Sequence, residues 1–197
     1  PSPEKTTQKI KISSNIELNP FHFDAEIILI EKDFKFIIDN FLYYLVNMDQ
    51  DSLGNLNGNM ELFFNNIKHE IINEGKINLN IDEKNISILN AIFKVDRVGE
   101  ITSKFDFIEK DGELFFKSKN IFEINNTKEF ARKFQISSGK SNKLKKIYFD
   151  LEKNIETGEI SISNVQINKI DKNKETNKIY IINNIQVFRS IFKEILF

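Results

Sequence analysis

The strongest constraint in this chain is a period of two. Phe21, Phe23, Ala25, Ile27 and Leu29 alternate with His22, Asp24 and Glu26, and Ile77, Leu79 and Ile81 alternate with Lys76, Asn78 and Asn80. Ile10, Ile12, Ile16 and Leu18 set the same rhythm earlier, in extended segments that the sequence breaks at Ser13-Ser14-Asn15. Successive side chains of a strand point to opposite faces, so this pattern specifies strands that are apolar on one side only. A succession of such strands must cover its apolar face. It can fold into a sandwich, close into a barrel, borrow helices, or leave a groove for an apolar ligand.

Composition supports the β reading. The 197 residues include 33 Ile, 25 Asn and 25 Lys, the weighting of an AT-rich coding sequence, together with 19 Phe. Ile and Phe suit strands, while Asn suits turns. Only 3 Ala are present, so few surfaces suit close helix packing. Codon bias accounts for which apolar and polar residues occur, but not for their alternation.

The period changes in two or three places. Phe34, Ile37, Ile38, Phe41, Leu42, Leu45 and Met48 have helical spacing behind Asp33 as N-cap, which predicts a helix over 33–48. Asn126 followed by Glu129 resembles a capping box for a short helix. Ile181, Ile185, Phe188, Phe192 and Ile195 predict a C-terminal helix over 180–197, although Ile179–Ile182 suits a last strand equally. Strands meander between these points, with Asp111-Gly112 and Thr157-Gly158 as turns and phase slips near Leu89-Asn90 and Asn164. With no βαβ alternation read in the chain, antiparallel pairing is the expectation. The expected organisation is a single domain over 1–197. It has a disordered tail at 1–9, the helix at 33–48, meander strands through 56–170 and the C-terminal helix at 180–197.

Site chemistry is sparse. The absence of Cys removes disulfide scaffolds, thiolate zinc sites and Cys nucleophiles. His22 and His69 are far apart in sequence and read as surface histidines. The seven Gly are scattered, so no phosphate loop is present, and the acidic pairs lack calcium-loop spacing. The net charge of −1 lacks the footprint of a nucleic-acid binder. Lysines at 143, 145 and 146, and at 172, 174 and 178, read as solvated loops, with anionic lipid headgroups as the alternative contact. No catalytic residue, metal ligand or cofactor is expected. No run reaches the roughly 18–20 apolar residues of a membrane span. The first residue is Pro1 and no signal peptide is visible, so a piece of a longer chain is expected.

Four stretches then resemble a known family. They are NIELNPFHFDAEI, LNGNMELFF with INEGKINLNI, NAIFKVDRVGEITSKFDFIEKDGELFFKSKNIFEI, and LKKIYFDLEKNIETGEISISNVQIN. Together, from Asn15 to Ile170, they resemble the C-terminal region of the AsmA-like family of Gram-negative bacteria. The match lies in strand patterns rather than in a chemical signature. The resemblance implies a periplasmic protein tethered to the inner membrane by a segment absent from this chain. It also implies a taco-shaped β-groove with an apolar inner face that moves phospholipid between membranes.

The combined expectation is a mainly β chain, with an elongated, twisted antiparallel sheet forming an apolar groove and two or three accessory amphipathic helices. Its first strands would offer Met60, Leu62, Phe64, Ile77, Leu79 and Ile81 to lipid. Later strands would add Phe105, Phe107, Leu114 and Phe116, and the last hairpin Ile147, Phe149, Leu151, Ile160 and Ile162. The expected partner is phospholipid, with no nucleic acid. Acyl chains would be held by non-directional burial, at about 25 cal/mol per Å² of apolar surface. The alternative is a non-catalytic structural or interaction domain with a closed core.

Overall fold

The computed structural model describes residues 10–31, 33, 39–41, 43, 56–83, 85–136, 143–168, 180–181 and 189–190. Its strands are β1 (Ile10–Leu18), β2 (Phe21–Ile30), β3 (Asn57–Asn65), β4 (Ile72–Asp82), β5 (Asn85–Val95), β6 (Gly99–Lys110), β7 (Glu113–Ile124), β8 (Lys146–Asn154), β9 (Ile160–Ile167) and β10 (Tyr180–Ile181). A short helix, α1 (Thr127–Phe134), lies between β7 and β8. The protein is mainly β, and the hydrogen-bonded strand order repeats the chain order from β1 to β10. Contacts divide the chain into two compact units, Pro1–Ala91 and Ile92–Phe197.

In the first unit, β1 and β2 form a hairpin through Asn19-Pro20, and β3 and β4 pair antiparallel. The expectation of purely antiparallel pairing fails between them, because β2 pairs with β3 in parallel. A parallel pair needs a crossover of about a dozen residues or more. The 26 positions from 31 to 56 supply that length. The helical spacing at 33–48 therefore marked a crossover between neighbouring strands. Residues 39–41 and 43 are helical, and Asp33 forms a parallel bridge with Lys68. The rest of the 33–48 expectation lies outside the described residues, as does the tail at 1–9.

Two local expectations also change here. β1 runs unbroken through Ser13-Ser14-Asn15, in register with β2 over all nine residues. β5 is likewise one strand across Leu89-Asn90. Asn90 accepts a hydrogen bond from Asn78 Nδ2 at 2.7 Å. Ile86 and Ile88 share Asn90's side of β5, while Leu89 falls with buried Ala91, Phe93 and Val95 on the other.

In the second unit, β6 to β9 form an antiparallel meander. Asp111 and Gly112 both take positive φ (53° and 82°) and join β6 to β7 as the entire turn. That is the backbone a two-residue hairpin of this twist requires. The slip near Asn164 is a bulge. The register shifts between Tyr148 and Asp150, and Asn164 has φ 52°. The extra residue keeps Val165 buried alongside Ile162.

The N-terminus of α1 is capped by Asn126, whose Oδ1 accepts the Glu129 amide. The reciprocal half of a capping box does not form, since Glu129 instead accepts from Arg132. That bond holds the Glu129 carboxyl below its usual range. The pair's small contribution is present above the ordinary pKa of 4.5 and fades as pH falls through the lowered value. Phe130 and Phe134 sit against Phe122 of β7, with ring centroids 5.8 and 6.1 Å away, and close the core of this unit. At the C-terminus, Tyr180–Ile181 pairs with β9 as a last strand, which corrects the helix start at 180. Residues 189–190 are helical, and the remainder of 180–197 lies outside the described residues.

Two glycines set strand spacing. A Cβ on Gly58 would lie 2.2 Å from the Phe23 carbonyl oxygen, and one on Gly99 would lie 1.9 Å from that of Glu123. Backbone occupies the space in both cases, so each substitution separates a strand pair. Gly58→Ala is expected to lower unfolding free energy by about 1–3 kcal/mol, the usual cost of overpacking. Denaturant melts would show a lower midpoint, and an unchanged midpoint would contradict this close approach of β2 and β3.

Candidate functional site

The register of the first unit fixes which residues share a face. Ile10, Ile12, Ser14, Ile16 and Leu18 lie opposite Leu29, Ile27, Ala25, Phe23 and Phe21. Phe23, Ala25, Ile27 and Leu29 then face Gly58, Met60, Leu62 and Phe64. These in turn face Ile81, Leu79, Ile77 and Gly75. The six groove residues expected on β3 and β4 therefore lie on one face.

Burial is graded across that face. Phe64 and Ile77 are fully buried, at 0% and 1% exposure, and Leu62, Leu79 and Ile81 are buried too. Met60 and the β2 residues are half-buried. On β1 the face is open, with Ile12 at 70% and Leu18 at 80% exposure.

A trough of about 730 Å³ crosses these strands, and most of its lining, including Ser13, Asp24, Glu26, Asn59, Glu61 and Asn78, belongs to the opposite, polar face. Its lining comes in short runs centred on Ser14, Ala25 and Met60, then Leu79 and Leu89. The first four are successive register partners. The trough thus runs across the strands along this row, between the polar residues that flank it in sequence, and Ile12, Ile27 and Leu62 of the apolar face do not line it. Its volume falls within the ~300–1,000 Å³ of small-molecule sites. Among the expected groove residues, Met60 and Leu79 line it. The sequence reading missed the other ten, Ser14, Ala25, Leu89 and seven polar residues, because it sought the site among apolar residues alone.

The opposite face of the same strands is polar and paired. Lys76 Nζ is 2.5 Å from Glu61 Oε1 and lies over the Phe63 ring, 4.9 Å from its centroid. Asn59 donates to Asp24 at 3.1 Å. His22 Nε2 is 3.5 Å from Asp24 Oδ1, and His69 Nδ1 accepts the Ile72 amide, which gives each histidine a local partner. Among the described residues, no group of three or more His, Asp or Glu is placed to hold a metal ion.

In the second unit, the other nine expected residues also share a face. Phe107 faces Phe116, and Leu151 faces Ile162. Ile147 and Ile162 are buried at 0% and 2% exposure, and Phe116 and Phe149 are buried as well. Phe105, Phe107, Leu114, Leu151 and Ile160 are half-buried. Phe105 stacks on Phe116 with centroids 4.8 Å apart.

A polar knot interrupts this apolar face. Ser103 donates to Asn120 Oδ1 at 2.7 Å, and Asn120 Nδ2 donates to Ser118 Oγ at 3.0 Å and to the Phe149 carbonyl at 3.2 Å. All three side chains are buried. The knot satisfies itself, so its plain role is to fix register in a sheet that apolar contacts alone hold loosely.

No family model, curated protein or solved structure matches the chain. Among the described residues, no helix is long and apolar enough to cross a membrane.

Removing Asn120 leaves buried hydroxyls without their partner. Asn120→Ala is expected to cost about 1–3 kcal/mol, while the triple change Ser103→Ala, Asn120→Val, Ser118→Ala recovers part of that loss. Calorimetric unfolding of both would decide. A single variant as stable as the parent would contradict the satisfied network.

Proposed function

We propose that this protein binds the acyl chains of phospholipid on its apolar sheet face, with the exposed apolar surface of β1 in the first unit as the seat. The observation that carries this reading is the row Ile10, Ile12, Ile16 and Leu18, exposed at 54%, 70%, 54% and 80% beside the half-buried apolar residues of β2. An acyl chain laid there removes its own surface and that of the row from water, at about 25 cal/mol per Å². The contacts are non-directional, so chain identity matters little. The headgroup stays in solvent.

The resemblance to AsmA-like strand patterns supports placing this binding in a bacterial envelope. On that reading the protein is periplasmic, held at the inner membrane by a segment outside this chain, and serves outer-membrane lipid homeostasis by passing phospholipid on. No catalytic residue is assigned, because binding and release need no bond to break.

A second reading has its own support. Phe64, Ile77, Ile147 and Ile162 are almost wholly buried, as in a closed core. These four act as structure under either reading. On the second reading, the protein is a non-catalytic interaction domain.

Titration with a fluorescent fatty-acyl probe separates the two. Ile12→Glu places a charge on the exposed apolar surface and is expected to weaken binding about tenfold or more. Met60→Glu should act the same way from the neighbouring part of that face, and circular dichroism should show unchanged strand content. Phe105→Glu locates any second seat in the other unit. Parent-like binding by both Ile12→Glu and Met60→Glu would refute the seat.

A further inference from the structure

Strand β1 ends the strand order, and β2 is its hydrogen-bonded neighbour in the sheet. All nine of its residues are exposed. A terminal strand presents unpaired backbone N–H and C=O groups, which natural sheets blunt with proline, bulges, short length or charged side chains. β1 has no proline or bulge among Ile10–Leu18, its register with β2 is unbroken, and its two charges, Lys11 and Glu17, are of opposite sign.

The sequence of β1, IKISSNIEL, is also complementary to its own reverse. We propose that β1 pairs antiparallel with β1 of a second copy of this chain, on a two-fold axis through Ser14. In that register Ile10 lies opposite Leu18, Lys11 opposite Glu17, Ile12 opposite Ile16, and Ser13 opposite Asn15. Ser14 lies opposite itself. Every apolar residue meets an apolar one, and every charge meets its opposite, twice over by symmetry.

Neighbouring registers that keep the apolar faces on one side do worse. Centring on Ser13 sets Ile12 against Ser14 and Lys11 against Asn15. Centring on Asn15 sets Ile16 against Ser14 and Glu17 against Ser13. A one-residue slip puts apolar residues opposite polar ones. The self-match therefore selects both the occupant and the register. Ser14 also begins the trough row, so the axis sets two troughs end to end. The pairing itself stands independently of lipid binding.

Sedimentation equilibrium of the full chain, without lipid, gives the test. The parent is expected to dimerise reversibly. Lys11→Glu places Glu opposite Glu at two points and should raise the dimer dissociation constant about tenfold or more. Lys11→Glu combined with Glu17→Lys restores opposite charges and should recover the dimer. The chain has no cysteine, so Ser14→Cys introduces a single thiol at the axis, which a short bis-maleimide should cross-link. Leu18→Cys should not react, because its two copies lie about 27 Å apart along the pair. A monomeric parent, failure of the charge swap to rescue, or equal cross-linking at both positions would each overturn the proposal. Lipid binding by a monomeric parent would leave the lipid reading standing while this one fell.

Discussion

Cross-strand register is the constraint on which the structure of each unit rests. The backbone ladder pairs Ala25 with both Ser14 and Met60, and Met60 with Leu79. A shift of one residue in any pair would move a whole apolar set to the other face. The devices that hold register are local. Gly58 lets β3 approach the Phe23 backbone, Asp111-Gly112 closes β6 on β7, and the bulge at Asn164 returns Val165 to the core. The buried Ser103–Asn120–Ser118 knot belongs with them, because its bonds form in one alignment of β6, β7 and β8.

Register also explains why apolar residues of one pattern have different roles. Phe64 and Ile12 occupy equivalent places in the alternation, yet one is fully buried and the other 70% exposed. The difference lies in position within the strand order. Phe64 has strands on both sides, whereas Ile12 lies on the end strand. Exposed Ile and Leu on β1 carry the cost of surface that β3 and β4 avoid. Lysines do a related job on the polar face, where Lys76 and Lys110 lie over Phe63 and Phe115 and shield aromatic carbon from water.

Much of the fold was legible in the sequence, for reasons that differ by element. Alternation located the strands because the strand period is a local property. The Asp-Gly turn, the Asn126 cap and the slip near Asn164 were legible because each depends on one residue's backbone preference. The parallel pairing of β2 with β3 was not, since it depends on which strands meet after a crossover, and helical spacing between two strands fits several partners. Ser13-Ser14-Asn15 looked like a break because polar residues displaced the expected Ile at position 14, yet register with β2 holds it extended. The trough was hidden for another reason. A sequence reading seeks a groove among large apolar residues, and most of the trough's lining is polar. Met60 and Leu79 were named as groove residues, while the rest of the lining needed the cross-strand partners to be known.

The central claim is that the accessible part of this apolar face holds acyl chains, while the buried part is core. Native mass spectrometry of the purified full chain, after gentle removal of detergent-free buffer, tests it most directly. The account predicts adducts with phospholipid masses, heterogeneous in chain length and lost on solvent extraction that leaves the β-sheet signal intact. A chain that flies without lipid, and takes up none after incubation with phospholipid vesicles, would contradict it.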